Sequence, residues 1–232
     1  MKKVNHPKSK RFNELTKQID SEKLYDIKEA IKLIKKTSNV KFDASVEAHI
    51  RLNIDPKKGE QQVRSSVALP YGNGKNVRVA VICADSAKQK SAKEAGADIV
   101  GEQDLIENIK KGVIDFDILV ATPSAMKLLG PVAKILGPKG IMPNPKDGTV
   151  TDNIADTVTN LKKGQINYKN DDSGNLHVIV GKVSFEDGQL DKNYDALIES
   201  VQKAKPAPVK GGYIKNVALT SSMGPSVKIK FE

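Results

Sequence analysis

The texture of this chain changes twice, and both changes fall at glycines: Tyr71-Gly72-Asn73-Gly74 and Gly164. Between them short apolar strands alternate with helices, with strands expected at 77–83, 99–100 and 117–121 and helices at 86–95 and 104–111. That alternation predicts a parallel sheet covered on both faces. Thr122-Pro123 reads as the cap and first position of a further helix, and Thr151 as the opening of another, with Ile154, Val158 and Leu161 along one face. Outside the two joints the pattern is different. In 45–54, Val46, Ala48, Ile50, Leu52 and Ile54 alternate with polar neighbours, the period of a strand buried on one side. Ile27, Ala30, Ile31 and Ile34 mark an amphipathic helix over 26–36. Further strands are expected at 63–69, 165–169, 176–185, 214–220 and 227–231, with a turn at 171–174. A helix around Tyr194, Leu197, Ile198 and Val201 is ended by Pro206 and Pro208.

Because the two outer thirds look alike and the middle differs, the economical architecture is an α+β split domain with a largely antiparallel sheet, interrupted by an inserted α/β Rossmann-like domain. The expected division is 1–72 plus 165–232 for the first and 73–164 for the insert. At 232 residues the chain has room for two cores. Gly72, Gly74 and Gly164 at the joints read either as a hinge, since glycine absorbs large changes in φ and ψ, or as tight turns at a domain border.

Charge narrows the partner. Lys and Arg total 38 against 28 acids, a net charge of +10. The excess is uneven, with 16 basic and 9 acidic residues in 1–72, 13 and 11 in 73–164, and 9 and 8 in 165–232. Such a field draws phosphate chains by releasing their counterions, although a solvated lysine surface gives the same count. Tryptophan is absent and aromatics make up 4% of residues, which argues against a stacking platform for single strands. Cys83 is the only cysteine, so no intrachain disulfide forms. No apolar stretch reaches the roughly 20 residues that span a bilayer, and the first residues lack a secretory h-region. The expectation is a cytoplasmic protein with no membrane contact.

Two segments carry the most detail. The run from Lys41 to Lys75 begins KFDASVE, and the loop Thr220-Ser221-Ser222-Met223-Gly224-Pro225-Ser226 is longer than a hairpin needs. By local sequence the second is a Gly-Pro turn with Met223 as filler about twice as readily as a binding loop. Both segments, and matches over nearly the whole chain, resemble the ribosomal protein L-one family of the large subunit's mobile stalk. The resemblance reverses the reading of the loop and implies an RNA-binding surface formed by Lys41, Phe42, Ser45 and Glu47 opposite Thr220, Ser222, Met223 and Gly224. Phe42 also reads as a plug at a helix–strand corner. Glu47 reads either as a shape-specific contact to 2′-hydroxyls and base amino groups or as the ion-pair partner of Arg51. Lys139 and Lys146, in the Pro/Gly-rich loop 136–146, either reach RNA backbone or sit on a loop that covers the sheet. Lys57, Lys58 and Arg64 carry no assignment.

The resemblance further implies large-subunit rRNA as the partner, release of deacylated tRNA from the exit site, repression of the protein's own operon mRNA, and a monomer off the ribosome. No cofactor or metal is implied. Small departures, Ser65-Ser66 where glycine is frequent and Tyr71 where histidine is frequent, touch loop geometry only. The competing class is a nucleotide-dependent enzyme housed in 73–164. Gly72-Asn73-Gly74-Lys75 lacks P-loop spacing and precedes a strand, and His6, His49 and His177 show no metal-ligand spacing, so no catalytic set emerges. His49 reads as a lone surface histidine.

Overall fold

The structure, a computed structural model, describes residues 9–20 and 22–231 apart from the side chain of Lys146. In chain order the elements are α1 (Lys10–Thr16), α2 (Ile27–Thr37), β1 (Ser45–Leu52), β2 (Arg64–Ala68), β3 (Val79–Ile82), α3 (Ser86–Glu94), β4 (Ile99–Gly101), α4 (Gln103–Lys110) and β5 (Ile118–Ala121). They continue with α5 (Ala133–Leu136), α6 (Ile154–Lys163), β6 (Gln165–Lys169), β7 (Asn175–Lys182), α7 (Asp187–Lys203), β8 (Ile214–Ser221) and β9 (Val227–Ile229). The chain divides into two compact units, Met1–Val63 with Tyr168–Glu232, and Arg64–Asn167.

The first unit is built on an antiparallel sheet of order β7-β1-β8-β9. Its inner face is apolar: Val46, Ala48, Ile50 and Leu52 of β1 are buried with Leu176, Val178, Val180, Val217, Leu219 and Val227. Helices α2 and α7 cover that face through Ile31, Ile34, Leu190, Leu197 and Val201. Period-two side-chain alternation turns Ser45, Glu47, His49 and Arg51 to the other face, where they are half-buried or exposed. A bulge interrupts the β1–β7 ladder, where Val46 pairs with Gly181 but Glu47 with Ile179. The skipped residue is Val180, and its carbonyl accepts a hydrogen bond from the buried Asn193 side chain on α7 at 2.7 Å. A buried carbonyl released from its ladder must find such a donor.

The second unit has a parallel sheet of order β4-β3-β5. Every residue of β3 is buried, so the strand reads as a continuous apolar run with no alternation. Ile82 and Leu119 pack with Leu105, Ile109, Leu129 and Leu136 on one side. Val79, Val81 and Val120 pack with Ile154, Val158 and Leu161 on the other. The helix expected after Thr122-Pro123 is instead a 3-10 stretch, Ala125–Val132, followed by the single turn α5. Pro131 inside that stretch has no amide proton to give an α-helical ladder. Thr122 still acts as a cap, its hydroxyl accepting the Ala125 N–H at 3.3 Å.

The division between units lies at 63/64 and 167/168, against the expected 72/73 and 164/165. Strand β2 and the first three residues of β6 belong to the second unit because they pair with each other as a two-stranded sheet. All three joint glycines therefore sit inside the second unit. Gly164 is the left-handed C-cap of α6, at φ 107°. A Cβ on it would lie 2.3 Å from the Cα of Gly72, itself at φ 68°. Close backbone approach and positive φ account for both glycines locally. On the first unit's side the crossing strands are tied by Val63 and Asn170: Val63 N–H donates to the Asn170 carboxamide at 2.7 Å and Asn170 N–H to the Val63 carbonyl at 3.1 Å.

Candidate nucleic-acid interface

The 41–47 and 220–226 segments are about 175 residues apart in sequence, and the β1–β8 pairing joins them. Ser45 N–H donates to the Ser222 hydroxyl at 3.2 Å, and Ser222 N–H returns a bond to the Ser45 carbonyl at 3.0 Å. Glu47 stands directly opposite Thr220. Antiparallel register alone places these residues together, since a one-residue slip would turn each to the wrong face.

The loop after β8 turns through a hydrogen bond from Gly224 N–H to the Ser221 carbonyl at 2.9 Å. The Thr220 hydroxyl lies 3.3 Å from the Gly224 carbonyl and 3.2 Å from that of Ser221. A Cβ on Gly224 would come 2.3 Å from the buried Ser221 hydroxyl, so glycine is required there by close approach. Met223 adopts φ 63° and is the one non-glycine residue with positive φ among the described residues. A left-handed methionine costs about 1–2 kcal/mol, and strain of this kind persists where neighbouring bonds impose it. The tight Ser221–Gly224 turn imposes it here. Its result is an exposed Met223, at 69%; Phe42, in the segment leading to Ser45, is also exposed, at 56%. Phe42 is therefore no corner plug.

Several residues that sequence reasoning passed over hold this surface. Arg11 on α1 donates to the Asn39 side-chain oxygen and to the Met223 carbonyl, both at 2.9 Å. Lys182, at the end of β7, donates to the Ser45 hydroxyl at 2.9 Å. Asp43 accepts from the Ser184 hydroxyl at 2.8 Å and the Ser184 N–H at 3.1 Å, fixing the chain between Phe42 and Ser45. No local periodicity marks them, because each partner is more than 25 residues away. Lys41 is exposed at the head of the same segment. Glu47 lies 3.9 Å from the ring of His49 and makes no ion pair with Arg51. His49 is not alone either: it faces His177 across the β1–β7 ladder. Its pKa is lowered, first by burial and then by the charge of His177, with Glu47 opposing.

The remaining expected residues lie elsewhere. Lys139 is exposed in the second unit, in the loop after α5, and the side chain of Lys146 is outside the described residues, as is His6. Arg64 has a structural partner: its guanidinium makes a fork with the buried Asp147 carboxylate, Nε to Oδ1 at 2.8 Å and Nη2 to Oδ2. That hydrogen bond raises the arginine's pKa.

The sequence profile of the ribosomal protein L1p/L10e family matches residues 34–225. The chain belongs to the ribosomal protein L1p/L10e family. A large ribosomal subunit protein uL1 of Mycoplasma capricolum is 49% identical over 224 residues, covering 96% of this chain and 98% of that protein. One from Thermosipho melanesiensis is 50% identical over 222 residues, 95% of each. Among the described residues no helix is long and apolar enough to cross a membrane, and no three His, Cys, Asp or Glu side chains group as metal ligands.

Proposed function

We propose that this chain is a structural component of the large ribosomal subunit that binds large-subunit rRNA at the mobile stalk through its first unit. The supporting observation is the joining of the two family segments by the Ser45–Ser222 bonds, with Phe42 of one segment and Met223 of the other exposed. Exposed apolar groups of this size rest on ribose and base faces, the hydroxyls of Ser222 and Thr220 and the Glu47 carboxylate meet 2′-hydroxyls and amino groups, and Lys41 meets phosphate. Shape carries specificity in such a site. An mRNA element of the same shape competes for it, which is the basis of repressing the protein's own operon. On the ribosome the second unit assists release of deacylated tRNA from the exit site, with Lys139 as a backbone contact. Off the ribosome the chain is a monomer, cytoplasmic and without catalytic activity.

A chemical footprint of the protein on total rRNA tests this reading. One protected element is expected in the large-subunit rRNA, lost when Met223→Asp is used. Protection unchanged by that substitution would overturn the placement of the site, and no protection at all would overturn the function.

A further inference from the structure

The bulge in β7 decides which side of the sheet the last residue of that strand faces. Val178 and Val180 are both buried on the helix-covered face, so strict alternation would send Lys182 there too. A lysine so placed would lose its hydration among apolar side chains. The pairing avoids this: Val180 is skipped, Gly181 pairs with Val46 and Lys182 pairs with Ser45. Gly181 faces the same way as Val180, since a Cβ on it would lie 2.8 Å from Leu190 Cδ2 of α7 and 3.0 Å from Phe185 Cδ2. Two successive inward residues shift the alternation by one, and Lys182 emerges beside Ser45 on the face that carries Glu47. Its Nζ donates to the Ser45 hydroxyl at 2.9 Å and lies 3.5 Å from the Asp43 carbonyl.

The bulge in turn depends on Asn193. This fully buried side chain lies on the helix side of the sheet, away from Ser45, and gives an N–H to the Val180 carbonyl at 2.7 Å. Without that donor the carbonyl is buried and unpaired, a cost that relaxing the bulge would relieve. On the other face the hydrogen bonds set which groups can donate. Because the Ser45 oxygen accepts from Lys182, the proton of that hydroxyl is left to donate. Ser222 is in the same position, its oxygen accepting the Ser45 N–H at 3.2 Å. Two hydroxyl donors and an ammonium joined through Ser45 suit the acceptor oxygens of a ribose–phosphate chain.

We infer that Asn193 is a positioning residue for RNA binding. Through the Val180 bulge it keeps Lys182 on the RNA-facing side of the sheet, where the ammonium holds Ser45 as a donor and meets backbone phosphate. This deepens the proposed rRNA site and rests on that site lying on the first unit.

A double-substitution cycle on the full chain tests the inference, with rRNA affinity and the urea midpoint measured for each protein. Lys182→Met keeps an unbranched stem and removes the charge. It should lower affinity about tenfold and reduce the salt slope by about one while the midpoint holds. Asn193→Leu should lower the midpoint and also lower affinity per folded molecule, again about tenfold. Made in the Lys182→Met background, it should lower the midpoint as before and leave affinity unchanged, because the contact it positions is already gone. Should Asn193→Leu not fold, Asn193→Ala, which leaves room for a water at the carbonyl, enters the same cycle with the same expectation. A merely structural asparagine would give an equal affinity loss in both backgrounds or none in either, and each of these results overturns the inference. Unchanged affinity in Lys182→Met overturns it as well. Met223→Asp separates the two readings: binding lost there but kept in the Lys182 and Asn193 variants overturns this inference and leaves the rRNA site standing, whereas no binding by the unsubstituted chain overturns both.

Discussion

Two loops in this molecule share a composition and differ in what they do with it. The 220–226 loop and the loop after α5 both combine glycine, proline, methionine and hydroxyl or lysine side chains. In the first, the hydrogen bonds run beneath the loop, from Arg11 to the Met223 carbonyl and from Gly224 to Ser221, and the side chains of Met223 and Phe42 are left outward. In the second, a hydroxyl and a carboxylate of the loop are spent in holding it, while Lys139 stays exposed. The Thr149 hydroxyl accepts from Asn144 N–H at 2.8 Å and lies 3.2 Å from the Asn144 carbonyl, and Asp147, 7% exposed at its side chain, is taken up by Arg64. A loop whose carboxylate is buried against an arginine of its own unit is braced by that pair. The 220–226 loop is instead held through its backbone, and its apolar side chain Met223 is left exposed.

The largest expected effect is on the braced loop. Arg64→Ala leaves Asp147 buried without its cation and should lower stability by about 3 kcal/mol, read as a fall in the urea midpoint, while rRNA affinity per folded molecule stays unchanged. An equal loss of affinity would show that the brace also serves the interface.

Next comes the exposed loop. Met223→Asp keeps a residue that tolerates the left-handed backbone, so the urea midpoint should hold. An anionic, hydrated group against RNA should nonetheless cost about 2–3 kcal/mol of rRNA affinity. Loss of stability with unchanged affinity would reverse the contrast between the two loops.

Arg11→Ala sharpens the comparison by removing the bond beneath Met223. With the exposed hydrogen bonds to Asn39 and the Met223 carbonyl both lost, a drop of about 1 kcal/mol in rRNA affinity is expected in filter binding or calorimetry. Its salt dependence should change little if Arg11 braces the loop and does not meet phosphate.

The smallest effect is on acid stability. The Asp171 pKa is lowered to about 2, chiefly by the Asn175 backbone N–H, with further help from the Asn175 side chain, Ser173 and His177. An unfolded aspartate titrates near 3.9. The carboxylate therefore contributes fully above that value, and its contribution is lost as pH falls toward 2. Asp171→Asn should flatten the stability profile between about pH 4 and 2, with little change in its shape above. A profile still falling as steeply would assign the acid sensitivity to other carboxylates such as Asp98, whose pKa is also lowered, mainly by Lys162.

Much of the fold was legible in the chain. Alternation in β1 and β7, the uniform apolar run of β3 and the i, i+3, i+4 spacing of α2 record which faces meet core, and burial of apolar area is a property that single side chains carry with them. The turn at 171–174 was legible as well, since its residues fix backbone conformation locally, whereas Gly164, read as a hinge or border turn, proved to be the left-handed cap of α6. Family resemblance supplied the pairing of the 41–47 and 220–226 segments. Periodicity could not, because it names a face without naming the strand beside it. Only the tertiary structure decided that Arg11 donates to the Met223 carbonyl, that His49 faces His177, that Asn193 takes the carbonyl freed by the bulge, and that Arg64 is spent on Asp147. These are long-range hydrogen bonds between polar groups, whose strength depends on distances of a few tenths of an ångström that strand register and helix docking set. Local sequence determines what each segment wants to bury, and the assembled sheet determines which polar groups then find each other.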